Sequence, residues 1–166
     1  MIRPILTVPD PLLKQKSLPV PIITDEVIQL ARDMAETMYA APGVGLAAPQ
    51  VGVLQRLIVI DVAGNDEPPQ LITAINPVII HAEDDCFDEE GCLSVPDFAA
   101  NVKRHRRVTV KALTLEGQER IWHADGLLAI AFQHEIDHLD GILFVDRLSP
   151  LKRELFLKKM KKRGTP

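Results

Sequence analysis

His134 and His138 stand four residues apart, with a carboxylate beside the first, in the run His134-Glu135-Ile136-Asp137-His138. On a helix each residue advances about 100°, so four steps bring His138 back to within about 40° of His134. Two neutral imidazoles on one face can hold one divalent cation. Glu135, at about 100° on the same scale, is near enough to take a proton from a cation-bound water without ligating the metal. The chemistry this spacing implies is hydrolysis by a metal-activated water. The plainer alternative is an amphipathic helix whose solvent face happens to carry two histidines.

The flanking residues argue against that alternative. Asp125 occupies an N-cap position ahead of Gly126-Leu127-Leu128-Ala129-Ile130-Ala131-Phe132-Gln133, and Gly141 provides a C-terminal stop. The first two turns are almost wholly apolar, which predicts a buried helix and carries both histidines into the interior. Steps of three, four and seven back from His134 give Ala131, Ile130 and Leu127, an apolar wall expected beside the reacting centre.

A catalytic metal usually takes three protein ligands and keeps one position open. The extended pattern H-E-x-x-H-x-x-G-x-x-H is followed as far as Gly141, but Phe144 stands where its last histidine belongs, so that route is closed. Glu154 is one alternative, although it lies in a basic segment. Cys92, in Glu90-Gly91-Cys92-Leu93-Ser94-Val95-Pro96, is the better one, because it follows a glycine in a short stretch that can approach the helix closely. Cys86 is read as a small buried hydrophobe.

At this point the residues carry a resemblance. Gly43-Val44-Gly45-Leu46-Ala47-Ala48-Pro49-Gln50-Val51-Gly52, Glu90-Gly91-Cys92-Leu93-Ser94 and Gln133-His134-Glu135-Ile136-Asp137-His138-Leu139-Asp140-Gly141 resemble the three signature motifs of peptide deformylases, in family order and spacing. The similarity runs from Pro4-Ile5-Leu6 to Ser149-Pro150-Leu151. It implies a hydrolase that removes the formyl group from N-formylmethionyl nascent peptides and releases formate. Cys92, His134 and His138 would hold the metal, with Glu135 as general base toward water and then general acid toward the leaving amine. The Gln50 side-chain amide and the Leu93 backbone N–H would stabilise the developing oxyanion, donors typically worth about 2.7–4 kcal/mol each. Val44, Gly45, Glu90 and Gly91 would meet the substrate main chain as an added strand, beside the wall of Leu127, Ile130 and Ala131.

The resemblance implies one ferrous ion per chain in the cell. Thiolate and imidazole donors suit zinc and nickel as well. There is one departure: family members with this cysteine motif often carry an arginine shortly after the proline, whereas here the run is Asp97-Phe98-Ala99-Ala100-Asn101 and the nearest basic residues are Lys103 and Arg104. The expected consequence is on substrate affinity more than on chemistry.

The elements that must position these groups read as an α+β domain spanning 1–166. Antiparallel strands are expected around a central buried helix carrying the HExxH motif, followed by a basic C-terminal helix and tail over 151–166. Thr24 caps a helix with Val27, Ala31, Met34 and Met38 at core spacing, and the run Leu57 to Val62 reads as a buried strand. Leu71 to Ile80 reads as one or two strands broken at Asn76-Pro77, and Val108 to Ala112 with Glu119 to His123 as a hairpin. His81, His105 and His123 lack ligand spacing and read as structural or solvated.

The chain is 46% hydrophobic with a net charge of −4, enough for one core. Two cysteines and no apolar leader predict a cytoplasmic protein, neither exported nor membrane-spanning. The charge is uneven: from Leu151 onward seven basic residues face the single acid Glu154, so that segment is +6 and the remainder −10. Ser149 and Pro150 fit N-cap and N1 of the last helix. A solvated helix is the simpler reading of the basic segment, and contact with ribosomal RNA the functional one; DNA is not an expected partner. Two other classes compete with the deformylase reading: a general metallopeptidase, and a ribosome-binding factor with a vestigial site.

Overall fold

The computed structural model describes residues 1–162. Among them are three α-helices and one five-stranded antiparallel sheet in the order β1-β2-β3-β4-β5. The helices are α1 (Asp25–Ala40), α2 (Leu127–Leu139) and α3 (Pro150–Lys162). The strands are β1 (Gly45–Ala47), β2 (Leu57–Ile60), β3 (Ile72–Cys92), β4 (Val95–Leu113) and β5 (Glu119–Asp125).

The four residues of β2, Leu-Ile-Val-Ile, are all fully buried, because the strand lies between two helices. Ile58 and Ile60 point into the cluster with Phe132, Ile136 and Leu139 of α2, and Leu57 and Val59 into the cluster with Leu30, Met34 and Met38 of α1. A strand covered on both faces has no polar side to show, which explains the unbroken apolar run. Full burial of side chains such as Phe132 contributes about 1.5–3 kcal/mol each. A third cluster joins Leu13, Val95, Val102 and Phe144 to Phe156, the one buried residue of α3.

The cap of α1 forms as expected, with Thr24 Oγ1 accepting from the Val27 N–H at 3.3 Å. The N-terminus of α2 differs from expectation. Asp125 is the last residue of β5, paired with Arg107 across the sheet and 3.5 Å from its guanidinium, so it does not cap the helix. Gly126, at φ 61°, takes the N-cap position and turns the chain from strand to helix in one residue, a conformation that favours glycine. The first turn is also less interior than its composition predicts, since Leu127 is 55% exposed. At the other end Gly141 has φ 73°, and a Cβ there would lie 2.4 Å from the Lys14 carbonyl oxygen.

The break expected at Asn76-Pro77 is a register shift rather than a strand end. Proline has no N–H for the ladder, and the Asn76 side chain instead bonds both the N–H and the carbonyl of Val20, at 2.8 and 2.9 Å. Beyond Ile80 the strand continues to Cys92, paired throughout with β4, where the sequence reading expected none. That stretch is rich in charge, so its hydrophobic alternation is weak. Opposite charges facing each other across the two strands compensate, as in Glu83 with Arg107 at 3.6 Å and Asp85 with Lys103 at 3.5 Å.

Candidate active site

The long β3 delivers Cys92 to α2, which presents His134 and His138 from successive turns. The register shift between Gly91 and Cys92 falls where the strand reaches the helix. The ligand atoms of Cys92, His134 and His138 lie within 4.8 Å of one another, the only such group of three or more among the described residues. Cys92 Sγ is 3.4 Å from His138 Nε2, and the imidazole centroids are 5.0 Å apart. One sulfur and two imidazole nitrogens, converging in a mostly buried site, fit a four-coordinate cation with one position left open. Glu154, the alternative third ligand, is on the exposed α3 with its carboxylate 3.6 Å from Lys158.

His134 donates or accepts at Nδ1 with Glu90 Oε1, 2.9 Å away, which leaves Nε2 for a metal. Burial disfavours its charged form, but Glu135, Cys92 and Glu90 outweigh burial and raise its pKa well above the ordinary value. His138 goes the other way, lowered by burial and by the neighbouring His134 and Arg104. Burial also governs Glu135, pushing its carboxyl up to about 7, with His134 and Arg104 opposing the rise. Glu135 Oε1 is buried without a hydrogen-bond partner among the described residues, and the residue lines the cleft. Its other oxygen packs against Gly45, where a Cβ would lie only 2.5 Å from Oε2.

Gln50 is 1% exposed and held in one orientation. Its Oε1 accepts from the Ala47 N–H at 2.9 Å, and its Nε2 donates to Ser94 Oγ at 3.0 Å while lying 3.7 Å from Cys92 Sγ. The amide donor therefore faces the metal group. A cleft of about 780 Å³ opens in front of it, lined by Val44, Gly45, Gly91, Leu93, Leu127, Ile130, Ala131 and Phe98 among others. Asp97 and Ala99 line it where an arginine is common in the resembling family, and no lysine or arginine is among its described lining residues.

A model of the family described as polypeptide deformylase matches residues 2–154. The chain belongs to the polypeptide deformylase family. It is an enzyme of that family, 50% identical over 162 residues to a peptide deformylase of Acidobacterium capsulatum, a match covering 98% of this chain and 95% of the relative. A solved peptide deformylase from Legionella pneumophila superposes with a TM-score of 0.91 at 46% identity, covering 99% of this chain and 96% of that one. A peptide deformylase from Ehrlichia chaffeensis, solved in complex with actinonin, gives 0.91 at 40% identity over 98% and 97% of the two chains.

Of the site residues named from sequence, all but His138 line this cleft, His138 being buried beside Cys92, and the Glu90 carboxylate is engaged by other side chains of the protein. It is bonded by Arg104 through two nitrogens at 2.8 and 2.9 Å, as well as by His134. Sequence reasoning treated Arg104 only as the nearest basic residue to a missing contact, and gave no role to Asp137 or Ser94. Asp137 lies inside the histidine motif, and Arg104 is one of several basic residues in the run Lys103-Arg104-His105-Arg106-Arg107, its side chain 3% exposed. A carboxylate between two metal-spaced histidines was the available signal that a cation would be needed nearby.

Proposed function

We propose that this enzyme, working as one catalytic unit across the chain, hydrolyses the N-formyl group of formylmethionyl peptides and releases formate. The observation that carries the reading is the buried Glu135 carboxylate, its Oε1 unpartnered, beside the converging Cys92, His134 and His138 in an apolar cleft. The framework is a sheet wrapped around a central buried helix that bears the HExxH motif. A cation held by the cysteine and the two histidines supplies Lewis acidity and an ionisable water; we assign ferrous iron in the cell, with zinc or nickel able to replace it.

The chain's own groups then act in sequence. Glu135 takes a proton from water as the water oxygen bonds to the formyl carbon, and a carboxyl titrating at about 7 is suited to hold and return that proton at neutral pH. The Gln50 amide, fixed by Ala47 and Ser94, and the Leu93 N–H donate to the formyl oxygen as it gains charge. The carbon–nitrogen bond breaks, formate leaves, and Glu135 delivers the proton to the new amine. Val44, Gly45 and Gly91 receive the peptide main chain, and Leu127, Ile130 and Ala131 form the apolar side of the methionine pocket. A peptide deformylase from Acinetobacter baumannii solved with Met-ala-ser bound supports a peptide as the ligand of this fold.

Nascent peptides as substrate put the enzyme in the cytoplasm, where the basic α3 can meet ribosomal RNA. Arg163 and the rest of the tail lie outside the described residues. No helix among the described residues is long and apolar enough to cross a membrane. Incubation with a formyl-Met peptide and its acetylated counterpart tests the proposal. Stoichiometric formate with no internal cleavage is expected, whereas internal peptide products without formate would make the chain a general metallopeptidase.

A further inference from the structure

Behind His134 lies a ladder of charges with no assigned part in the reaction. Glu90 Oε1 meets the Nδ1 of His134 at 2.9 Å and the Nη2 of Arg104 at the same distance, while Arg104 Nε holds Glu90 Oε2 at 2.8 Å. The remaining Arg104 nitrogen, Nη1, reaches Asp137 Oδ2 at 2.7 Å. Asp137 in turn receives both Nε and Nη2 of Arg147, at 2.5 and 2.8 Å. Arg147 comes from the short 3-10 turn Phe144–Arg147 that precedes α3. The side chains of Arg104, Glu90 and Asp137 are 3%, 6% and 11% exposed, and only Arg147, at 44%, opens to solvent.

We propose that Arg104 is a positioning residue of the metal centre, locking the plane of Glu90 so that His134 can present only Nε2 to a cation. A guanidinium fork that occupies both carboxylate oxygens removes the rotation by which Glu90 could release the imidazole. The ladder sets the two guanidinium groups of Arg104 and Arg147 against the two carboxylates of Glu90 and Asp137, and leaves the Glu90 oxygen 2.9 Å from His134 Nδ1 placed to accept the ring N–H. Asp137, held by Arg147, keeps the third arm of the fork from turning toward the metal. Lysine could not replace the fork, because one ammonium cannot span both oxygens of Glu90 and reach Asp137 as well.

The inference rests on the reading of Cys92, His134 and His138 as ligands, and the competing account is that Arg104 simply ties β4 to α2. Arg56 offers a matched control. It likewise binds the C-terminal end of α2, through the Leu139 carbonyl and Asp140, both at 3.0 Å, without touching a ligand. Zinc affinity by competition with a chromophoric chelator, and the nitrogen NMR signals of the His134 ring in metal-free protein, should be compared in the parent, Arg104→Lys and Arg56→Lys. Arg104→Lys is expected to weaken zinc binding about 10–100-fold and to mix the His134 ring tautomers. Arg56→Lys should keep both parental, whatever it costs in Tm.

Parental affinity and a parental ring pattern in Arg104→Lys would overturn the proposal. If that variant does not fold, Arg147→Met at the solvent end of the ladder decides the matter: severalfold weaker zinc binding supports positioning, and unchanged affinity overturns it. A parent chain that fails to bind zinc would instead break the reading of the metal ligands.

Discussion

Helices α2 and α3 are each 13 residues long, yet α2 buries ten of its residues and α3 only Phe156. The two carry charge to different effect. In α2 the charged groups sit where water cannot screen them, so burial pushes Glu135 up to about 7 and His138 down, while the charges of Glu135, Cys92 and Glu90 outweigh burial at His134 and raise it. In α3 the charges face solvent, and an exposed pair such as Lys158 with Glu154, 3.6 Å apart, contributes about 0.2–1 kcal/mol at most. Length and helical spacing are therefore the same resource in both. What each helix packs against decides whether its side chains do chemistry or present a charged surface.

The comparison is broken most directly in α2. Glu135→Ala should fold, keep its metal and lose about 100–10,000-fold in turnover of formyl-Met peptides, if the carboxylate has the proposed role of moving protons without ligating the metal. Metal content by elemental analysis, read beside formate release, checks this; near-parental turnover would mean that another group is the base. Gly45→Ala attacks the same carboxylate from the facing wall. A methyl there would stand 2.5 Å from Glu135 Oε2, so the base must shift, and a misplacement of about 1 Å costs about 100-fold. The fall should appear in kcat with metal affinity preserved, whereas a change in KM alone would mean that Gly45 serves the substrate backbone only.

The smallest effect on chemistry is expected in α3. Replacing the exposed Lys158, Lys161 and Lys162 together by alanine should leave short-peptide turnover within about a few-fold of the parent while weakening ribosome association and its dependence on salt, as fewer phosphate counterions are released. Lys159 is excluded from that set, because it donates to the Asp97 carbonyl at the cleft rim and lies over the Phe98 ring. Ribosome binding that ignores both the substitution and added salt would leave α3 as a solvated helix.

The contrast between the helices was partly legible in the sequence. Motif spacing pointed to His134, His138 and Glu135 for a chemical reason, with Cys92 as the better of two candidates for a third ligand, and Gln50 entered through the resemblance of its segment to a peptide deformylase motif. The apolar run of β2 and the caps of α1 and α3 were readable from local chemistry as well. Three features were not. Asp125 looks like a cap, but its place in the β5 ladder is a tertiary fact. The far halves of β3 and β4 carry charge in place of alternation, and only the opposite strand makes sense of it. Arg104 stands in the sequence only as one of the two basic residues nearest a missing arginine, and its part depends on Glu90 and Asp137, one on a neighbouring strand and one on α2, which share it.

The central claim is that a cation held by Cys92, His134 and His138, with Glu135 beside it, removes formyl groups. Formate release from a formyl-Met peptide should therefore be followed through metal removal by a chelator and reloading with ferrous iron under anaerobic conditions, in the parent and in Cys92→Ala. The account predicts that release stops in the metal-free parent and returns on reloading, while Cys92→Ala binds metal weakly and recovers little. Release that persists after the metal is gone, or that Cys92→Ala sustains at the parental rate, would contradict it.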